Sequence, residues 1–471
     1  MGATDHAEPL GVRYEPGSFR DPDSRVYYRD GQVLRGLSAA AARDWQALAS
    51  TGFFTRLVAD GKICATEPVD EPSDGRWAMV LRHERVPFVS YPYEWTFSML
   101  RDAALLHLEV LSAALADSMS TKDGSAYNVQ WRGTAPVFVD VGSFEPLRDG
   151  EPWAGYRQFC QTLLYPLMLQ AHLGVGFRPW LRAQIDGIEA HQIAPMFDGL
   201  RRLRAGVLPH IHLHRAMQAK FASASAGAVR DELKTAGYSR ELLTATVRRL
   251  QSLVRKLEWR PEPSAWAGYR DSCTYSSDDA EHKAVFVEGA LAGAGCGLVL
   301  DLGANDGEYA RLAARHARHV VAVEADEAVA DECYRRLRAD ADRRVMPLVM
   351  DLANPSPGSG WRGRERASFG DRARPDAVLA LALVHHLAIA RNVPLPEVVD
   401  WLAGFGGRLV VEFVDPADPM AQRLLANKPA GLFGDYRRDV FERLLAERFD
   451  VTRREELPSG TRTLYLATAH G

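Results

Sequence analysis

The sequence predicts an α/β protein in which a parallel-sheet domain follows a mostly helical α+β region. Three observations predict it. Beyond about residue 260, short apolar runs alternate with helical segments, the pattern of parallel strands joined by crossover helices. Before it, apolar residues recur at the i, i+3, i+4 spacing of amphipathic helices. The 471 residues are 46% apolar and 25% charged, which is ordinary globular composition with core material for two or three domains.

In chain order, Arg101–Ser118 (RDAALLHLEVLSAALADS) and Arg240–Leu257 carry the helical spacing. Trp259–Ala267 (WRPEPSAWA) reads as a proline-rich linker. It divides the chain into residues 1–260, with lobes 1–100 and 101–260, and residues 261–471. The predicted strands of the second part are Leu298–Leu302, Val320–Glu324, Val345–Met350, Ala377–Val384 and Arg408–Val414. Asn354–Ser368 (NPSPGSGWRGRERAS) reads as a loop placed to cover a site.

Charge and cysteine usage exclude several classes. The net charge of −4 supplies no basic surplus for nucleic acid or an anionic membrane. Cys64, Cys160, Cys273, Cys296 and Cys333 form no C-x-x-C pair, as expected of reduced thiols in a cytoplasmic protein. The start, MGATDHAEPL, lacks the apolar run of a signal peptide. The longest apolar run, Ala377 to Ala390, is broken by His385 and His386 and is too short to span a bilayer.

The strongest chemical signal is Gly297–Glu308 (GLVLDLGANDGE), a strand running into a glycine turn and then a helix. Gly303 and Gly307 let the backbone approach a ligand where a side chain would clash. The next strand ends in Glu324, placed to accept hydrogen bonds from ribose hydroxyls. The third ends in Asp351, placed for an adenine amino group. A lone glycine turn is also compatible with an ordinary strand–turn–helix. Acidic residues at the ends of three successive strands favour a nucleotide-type ligand at the sheet edge. The turn reads D-x-G-x-N-x-G, so Asp301 would repel the pyrophosphate of a dinucleotide. It suits a cationic ligand bearing an amino group.

On Asp301, Gly303, Gly307, Glu324 and Asp351 the chain resembles class I S-adenosylmethionine-dependent methyltransferases. Asn305 departs from the small residue common in that turn, and Asn tolerates a left-handed conformation. The resemblance implies a Rossmann-like seven-stranded sheet whose late strands, Phe449–Arg454 and Thr463–Ala467, form a reversed hairpin. It implies S-adenosylmethionine as cofactor, held also by Leu352, with Tyr275 and Lys283 near its sulfonium and carboxylate. ALALVHHLAIARNVPLP and VVEFVDPADPM further resemble a bacterial, nodulation-protein-like subgroup.

Methyl transfer needs an aligned nucleophile and, for an alcohol or ammonium, a proton acceptor. His385 and His386 follow the fourth strand, where that acceptor belongs, and adjacent strand residues point to opposite faces. Strand capping is their alternative role. Glu412 is the second candidate; its alternative is a buried structural acid paired with an Arg. The acceptor is expected to be an O or N atom of a small-molecule metabolite. Protein or nucleic-acid methylation is the rival, opposed by the acidic balance and the lack of an N-P-P-Y-type motif.

In the first part, a helix leads into Lys122–Asn128 (KDGSAYN), a hairpin and then Asp140-Val141-Gly142. The D-x-x-x-x-N and D-x-G spacing of Asp123, Asn128 and Asp140 resembles the catalytic loop and metal-binding motif of protein-kinase-like folds. No glycine-rich phosphate loop precedes it, and the only earlier lysine is Lys62. A plain hairpin with polar turns, a degenerate kinase-like fold and an ATP-Mg-binding phosphotransferase all remain open here. His210, His212 and His214 would share one face of a strand, but no Cys or Asp stands close enough to complete a metal site, and none is expected.

Overall fold

The alternation beyond residue 260 becomes a seven-stranded sheet in the computed structural model, which describes residues 12–70, 75–148, 150–221, 238–262, 277–429 and 431–470. Its strands are β10 (Cys296–Leu302), β11 (Ala317–Glu324), β12 (Val345–Val349), β13 (Ala377–Ala380), β14 (Arg408–Val414), β15 (Phe449–Glu456) and β16 (Arg462–Ala469). The order is β12-β11-β10-β13-β14-β16-β15. β10 to β14 pair in parallel, whereas β16 runs antiparallel to both β14 and β15. This is the sheet with a reversed terminal hairpin that the resemblance implies.

The period of two sorts the strand residues between two apolar layers. Val299, Val320, Ala322 and Leu379 face one layer, with Phe286 and Val287 of the helix Ser277–Leu291. Leu300, Val321, Leu348 and Val411 face the other, which continues without a break into Leu100, Ala104 and Leu108 of the first part. The two parts therefore share one core.

The first part holds more sheet than its composition suggests. β1 (Arg13–Tyr14), β2 (Ser24–Arg29), β3 (Gln32–Leu37), β4 (Thr66–Val69) and β5 (Met79–His83) form an antiparallel sheet in the order β1-β2-β3-β5-β4. These strands are only two to six residues long and carry many arginines, so no strong alternation marks them. The helix Phe97–Ala116 starts four residues before the predicted Arg101, because the Thr96 hydroxyl caps it by accepting the Met99 N–H at 3.2 Å. Then come β6 (Met119–Thr121), the hairpin β7 (Val129–Arg132) and β8 (Ala135–Phe138), and β9 (Phe144–Pro146), which pairs with β6.

The helix Glu327–Ala339 joins the two parts. Asp331 accepts the Ser98 N–H at 2.7 Å and the Ser98 hydroxyl at 3.0 Å, all buried, and the Tyr334 hydroxyl donates to Asp102 at 2.7 Å. The predicted loop 354–368 is seated on the first part. Buried Glu365 takes two hydrogen bonds from Arg20 at 2.6 and 2.9 Å, and the Ala367 N–H donates to the Tyr91 hydroxyl at 2.9 Å. Arg372 pairs with buried Glu94. No helix among the described residues is long and apolar enough to cross a membrane.

Candidate functional site

The site is built at the carboxyl edge of β10, β11, β12 and β13. Past Leu302, Gly303 takes φ +81°, Asn305 +46° and Gly307 +79°. The Gly303 and Ala304 N–H groups both donate to the Val323 carbonyl at 2.9 Å, folding the turn over the end of β11. A Cβ on Gly307 would lie 2.6 Å from the Cys333 sulfur, so this glycine also lets the turn sit against the helix Glu327–Ala339. Asn305 adopts the expected left-handed conformation.

Asp301 lies beneath this turn, 2% exposed, and its Oδ2 has no hydrogen-bond partner. Burial and the neighbouring Glu324 charge push its carboxyl up to about 7. The Ala310 N–H donates to this carboxylate, but a partnerless buried Oδ2 is costly unless a ligand donates to it. Glu324 brackets the turn: Oε2 accepts the Asn305 N–H at 2.8 Å and Oε1 the Asp326 N–H at 2.8 Å. The Ala325 N–H also donates to this carboxylate, which leaves acceptor capacity for one hydroxyl donor. Asp351 accepts the Ala353 N–H at 3.0 Å and pairs with Arg391, and Leu352 beside it is half-buried. An adenine amino group there would share Asp351 with Arg391.

The first part walls this edge. Gln170 and Arg178 both bond Glu327, and Arg182 donates to Asn354 Oδ1 at 3.0 Å and to the Pro355 carbonyl at 3.0 Å. None of these three was singled out from the sequence, because only the fold brings them to the ends of β11 and β12.

The histidine pair departs from expectation. β13 stops at Ala380 and not at Val384, because Ala382 turns the chain at φ +49°. His385 and His386 therefore open a helical turn, with ring centroids 4.1 Å apart, and do not point to opposite faces of a strand. His385 is fully buried and neither ring nitrogen has a hydrogen-bond partner. Burial, with His386, Arg462 and Lys283 nearby, holds it well below the usual histidine range, and burial brings His386 to about 4.

Glu412 is committed to a buried network. Its Oε2 accepts Lys283 Nζ at 2.6 Å and the Ala382 N–H at 2.8 Å, and its Oε1 accepts Arg462 Nη1 at 3.0 Å. Arg462 also makes bonds of 2.8 and 3.1 Å to Asp418. Burial alone would raise the Glu412 carboxyl; Lys283 and Arg462 outweigh it and leave it lowered. Lys283 thus faces Glu412, 5.7 Å from the Tyr309 ring centroid. Tyr275 lies outside the described residues.

In the first part the fold gathers Asp123, Asn128 and Asp140. Burial and the Asp140 charge push Asp123 up to about 6. The cation facing Asp140 is Arg35 of β3, with its Nη1 2.8 Å away. Lys62 instead pairs with Glu109. Arg366 comes from the other part, its guanidinium 4.2 Å above the Tyr127 ring, and its charge acts on Asp123. The three histidines lie in or just past a π-helical turn, Leu208–Leu213, not on a strand. Each has its own partner: Tyr156 for His210, the Phe197 carbonyl for His212 and Tyr165 for His214. No group of three or more His, Cys, Asp or Glu fit for a metal occurs among the described residues.

No protein-family model matches the chain. Among solved structures, the N-methyltransferase NodS from Bradyrhizobium japonicum WM9 in complex with S-adenosyl-L-homocysteine aligns with 44% of this chain and 100% of its own, at 11% identity and TM-score 0.32. The geranyl diphosphate C-methyltransferase from Streptomyces coelicolor A3(2) aligns with 41% of this chain and 81% of its own, at 17% identity and TM-score 0.29. The nodulation protein NoeA of Rhizobium meliloti (strain 1021) is 32% identical over 456 residues, covering 95% of this chain and 94% of its own. With that identity across nearly the whole of both chains, the protein belongs to the family of nodulation protein NoeA.

Proposed function

We propose that the second part, residues 261–471, is an S-adenosylmethionine-dependent methyltransferase acting on an O or N atom of a small molecule. The observation that carries this reading is the buried Asp301 carboxylate beneath the Gly303 turn, whose Oδ2 has no partner in the chain. It fits an ammonium-bearing donor and opposes a pyrophosphate. Glu324 has acceptor capacity left for a ribose hydroxyl, and Asp351 and Leu352 border the base. When bound, the donor supplies an electrophilic methyl group for in-line displacement.

The chain's own residues align the acceptor and move its proton. His385, kept neutral by burial and nearby cations, presents a free lone pair at any pH above its depressed pKa. The adjacent, less buried His386 offers that proton a way out. Lys283, Arg462, Glu412 and Asp418 form a charge-balanced floor that holds Ala382 and, through it, the histidine turn. Glu412 acts here as a positioning residue. Residues 1–260 close the adenosine end through Gln170, Arg178 and Arg182. Isothermal titration with S-adenosylmethionine tests the reading: micromolar binding by the full chain supports it, and no binding at millimolar donor ends it.

A second reading concerns the first part, where Asp123, Asn128, Asp140 and Arg35 meet as in a kinase-like cleft. Arg35 on Asp140 and Arg366 beside Asp123 stand where a divalent cation would, which favours a degenerate unit over a phosphotransferase. Equilibrium dialysis is expected to show no ATP-Mg binding at millimolar nucleotide. Saturable binding would restore the bifunctional enzyme.

A further inference from the structure

Gly199–Leu203 forms a short 3-10 turn carrying the two most exposed leucines among the described residues, Leu200 at 86% and Leu203 at 81%. Arg201, Arg202 and Arg204 alternate with them. These arginines are held at the base of the turn: Arg201 on the Met196 carbonyl, Arg204 on the His172 carbonyl, Arg202 on Asp198. The leucines therefore stand outside a collar of guanidinium groups.

The same character continues along the next helix. Leu208, Leu213 and Met217 are exposed at spacings of five and four, which a π turn followed by an α turn sets on one side. From Gly199 to Lys220 the chain has five Arg and Lys residues and no Asp or Glu. Behind the turn opens a cavity of about 430 Å³ lined by His172, Leu173, Val175, Met196, Arg201 and Arg204.

We propose that this face docks the protein on an anionic lipid surface. Leu200 and Leu203 would enter the acyl boundary while the arginines meet the phosphates. The layering argues for lipid: an apolar tip ahead of a cationic collar matches the order of acyl chains and phosphates along a bilayer normal. The chain's net charge of −4 does not oppose it, because acidic residues more than about 10 Å away are screened at physiological salt, and Asp198 within the collar offsets only one of its three arginines. A peripheral contact of this kind needs no membrane-crossing helix.

The test is co-sedimentation of the full-length protein with vesicles of phosphatidylcholine alone or with 30% phosphatidylglycerol. Binding is expected only to the anionic vesicles and should fall as salt is raised. L200S/L203S should lose binding at least tenfold with thermal unfolding unchanged, since both side chains are in solvent. R202Q should weaken binding about fivefold. Equal pelleting of L200S/L203S with wild type, or no binding to anionic vesicles, overturns the proposal. So does a concentration-dependent dimer, seen by sedimentation velocity without lipid, that L200S/L203S abolishes, because the face would then serve a second copy.

Discussion

On the proposed reading, Asp301 couples donor binding to protons. Its carboxyl rests near 7, far above the ordinary 3.8, so without ligand the folded state holds a proton that the unfolded chain releases. Such a group contributes stability that is complete below about pH 4 and is lost as pH rises through 7. Asp301→Asn should therefore stabilise the ligand-free protein at pH 8 and lose that advantage towards pH 4, read by thermal unfolding. The same change removes a charge-assisted bond of about 1.5–3 kcal/mol, so donor affinity should fall about 10- to 150-fold. Proton release on binding near pH 7, measured by calorimetry in buffers of different ionisation enthalpy, should disappear with it. His385→Ala should lower kcat about 10²- to 10⁴-fold with the donor Kd unchanged. With His386 titrating near 4, kcat should show no histidine limb between pH 5.5 and 7.

At the scale of elements, much was legible and the exceptions have causes. β10 and its glycine turn stand where the D-x-G-x-N-x-G spacing put them, and Glu324 ends β11 as expected, because a glycine turn after a buried strand is a local property of the chain. The end of β13 was not legible: AVLALALV is apolar throughout, and nothing local marks Ala382 as left-handed. Its N–H is held there by Glu412, 30 residues on. The five strands of the first sheet were not legible because such short segments are stabilised by their neighbours and not by their own pattern. Gly307 offers a test at this scale. Gly307→Ala combines a positive φ with a 2.6 Å approach to the Cys333 sulfur and should cost about 2–4 kcal/mol in chemical denaturation. Adding Cys333→Ala should recover the steric share and leave the backbone strain.

On the scale of the whole molecule, one core crosses the boundary that composition suggested near residue 260. Asp331→Ala would strand a buried N–H and a buried hydroxyl on Ser98, at about 1–3 kcal/mol each. Because the same helix begins beside the bracketing carboxylate of Glu324, the loss should also raise the donor Kd, so unfolding and calorimetry should shift together. Buried histidines set the acid limit. His83 and His107 are lowered to about 3 and His210 to about 4, chiefly by burial. The unfolded chain binds these protons from about 6.5 downwards, so stability should fall between pH 6.5 and 4. A midpoint of thermal unfolding that is flat over that range would contradict the assignment.

The sequence by itself determined the parallel order of β10 to β14, the glycine turn with Asp301 and Glu324, and the loop Asp123–Asn128 with its hairpin. Each of these depends on spacing and residue type within a short segment. Only the tertiary structure decided that Glu412 is bound by Lys283 and Arg462, and that the histidines share one helical turn. It also decided that Arg35 pairs with Asp140, that the Arg366 charge acts on Asp123, and that Arg178 and Arg182 sit at the ends of β11 and β12. Those are contacts across tens to hundreds of residues, chosen by the packing of one continuous core, and no local period encodes them.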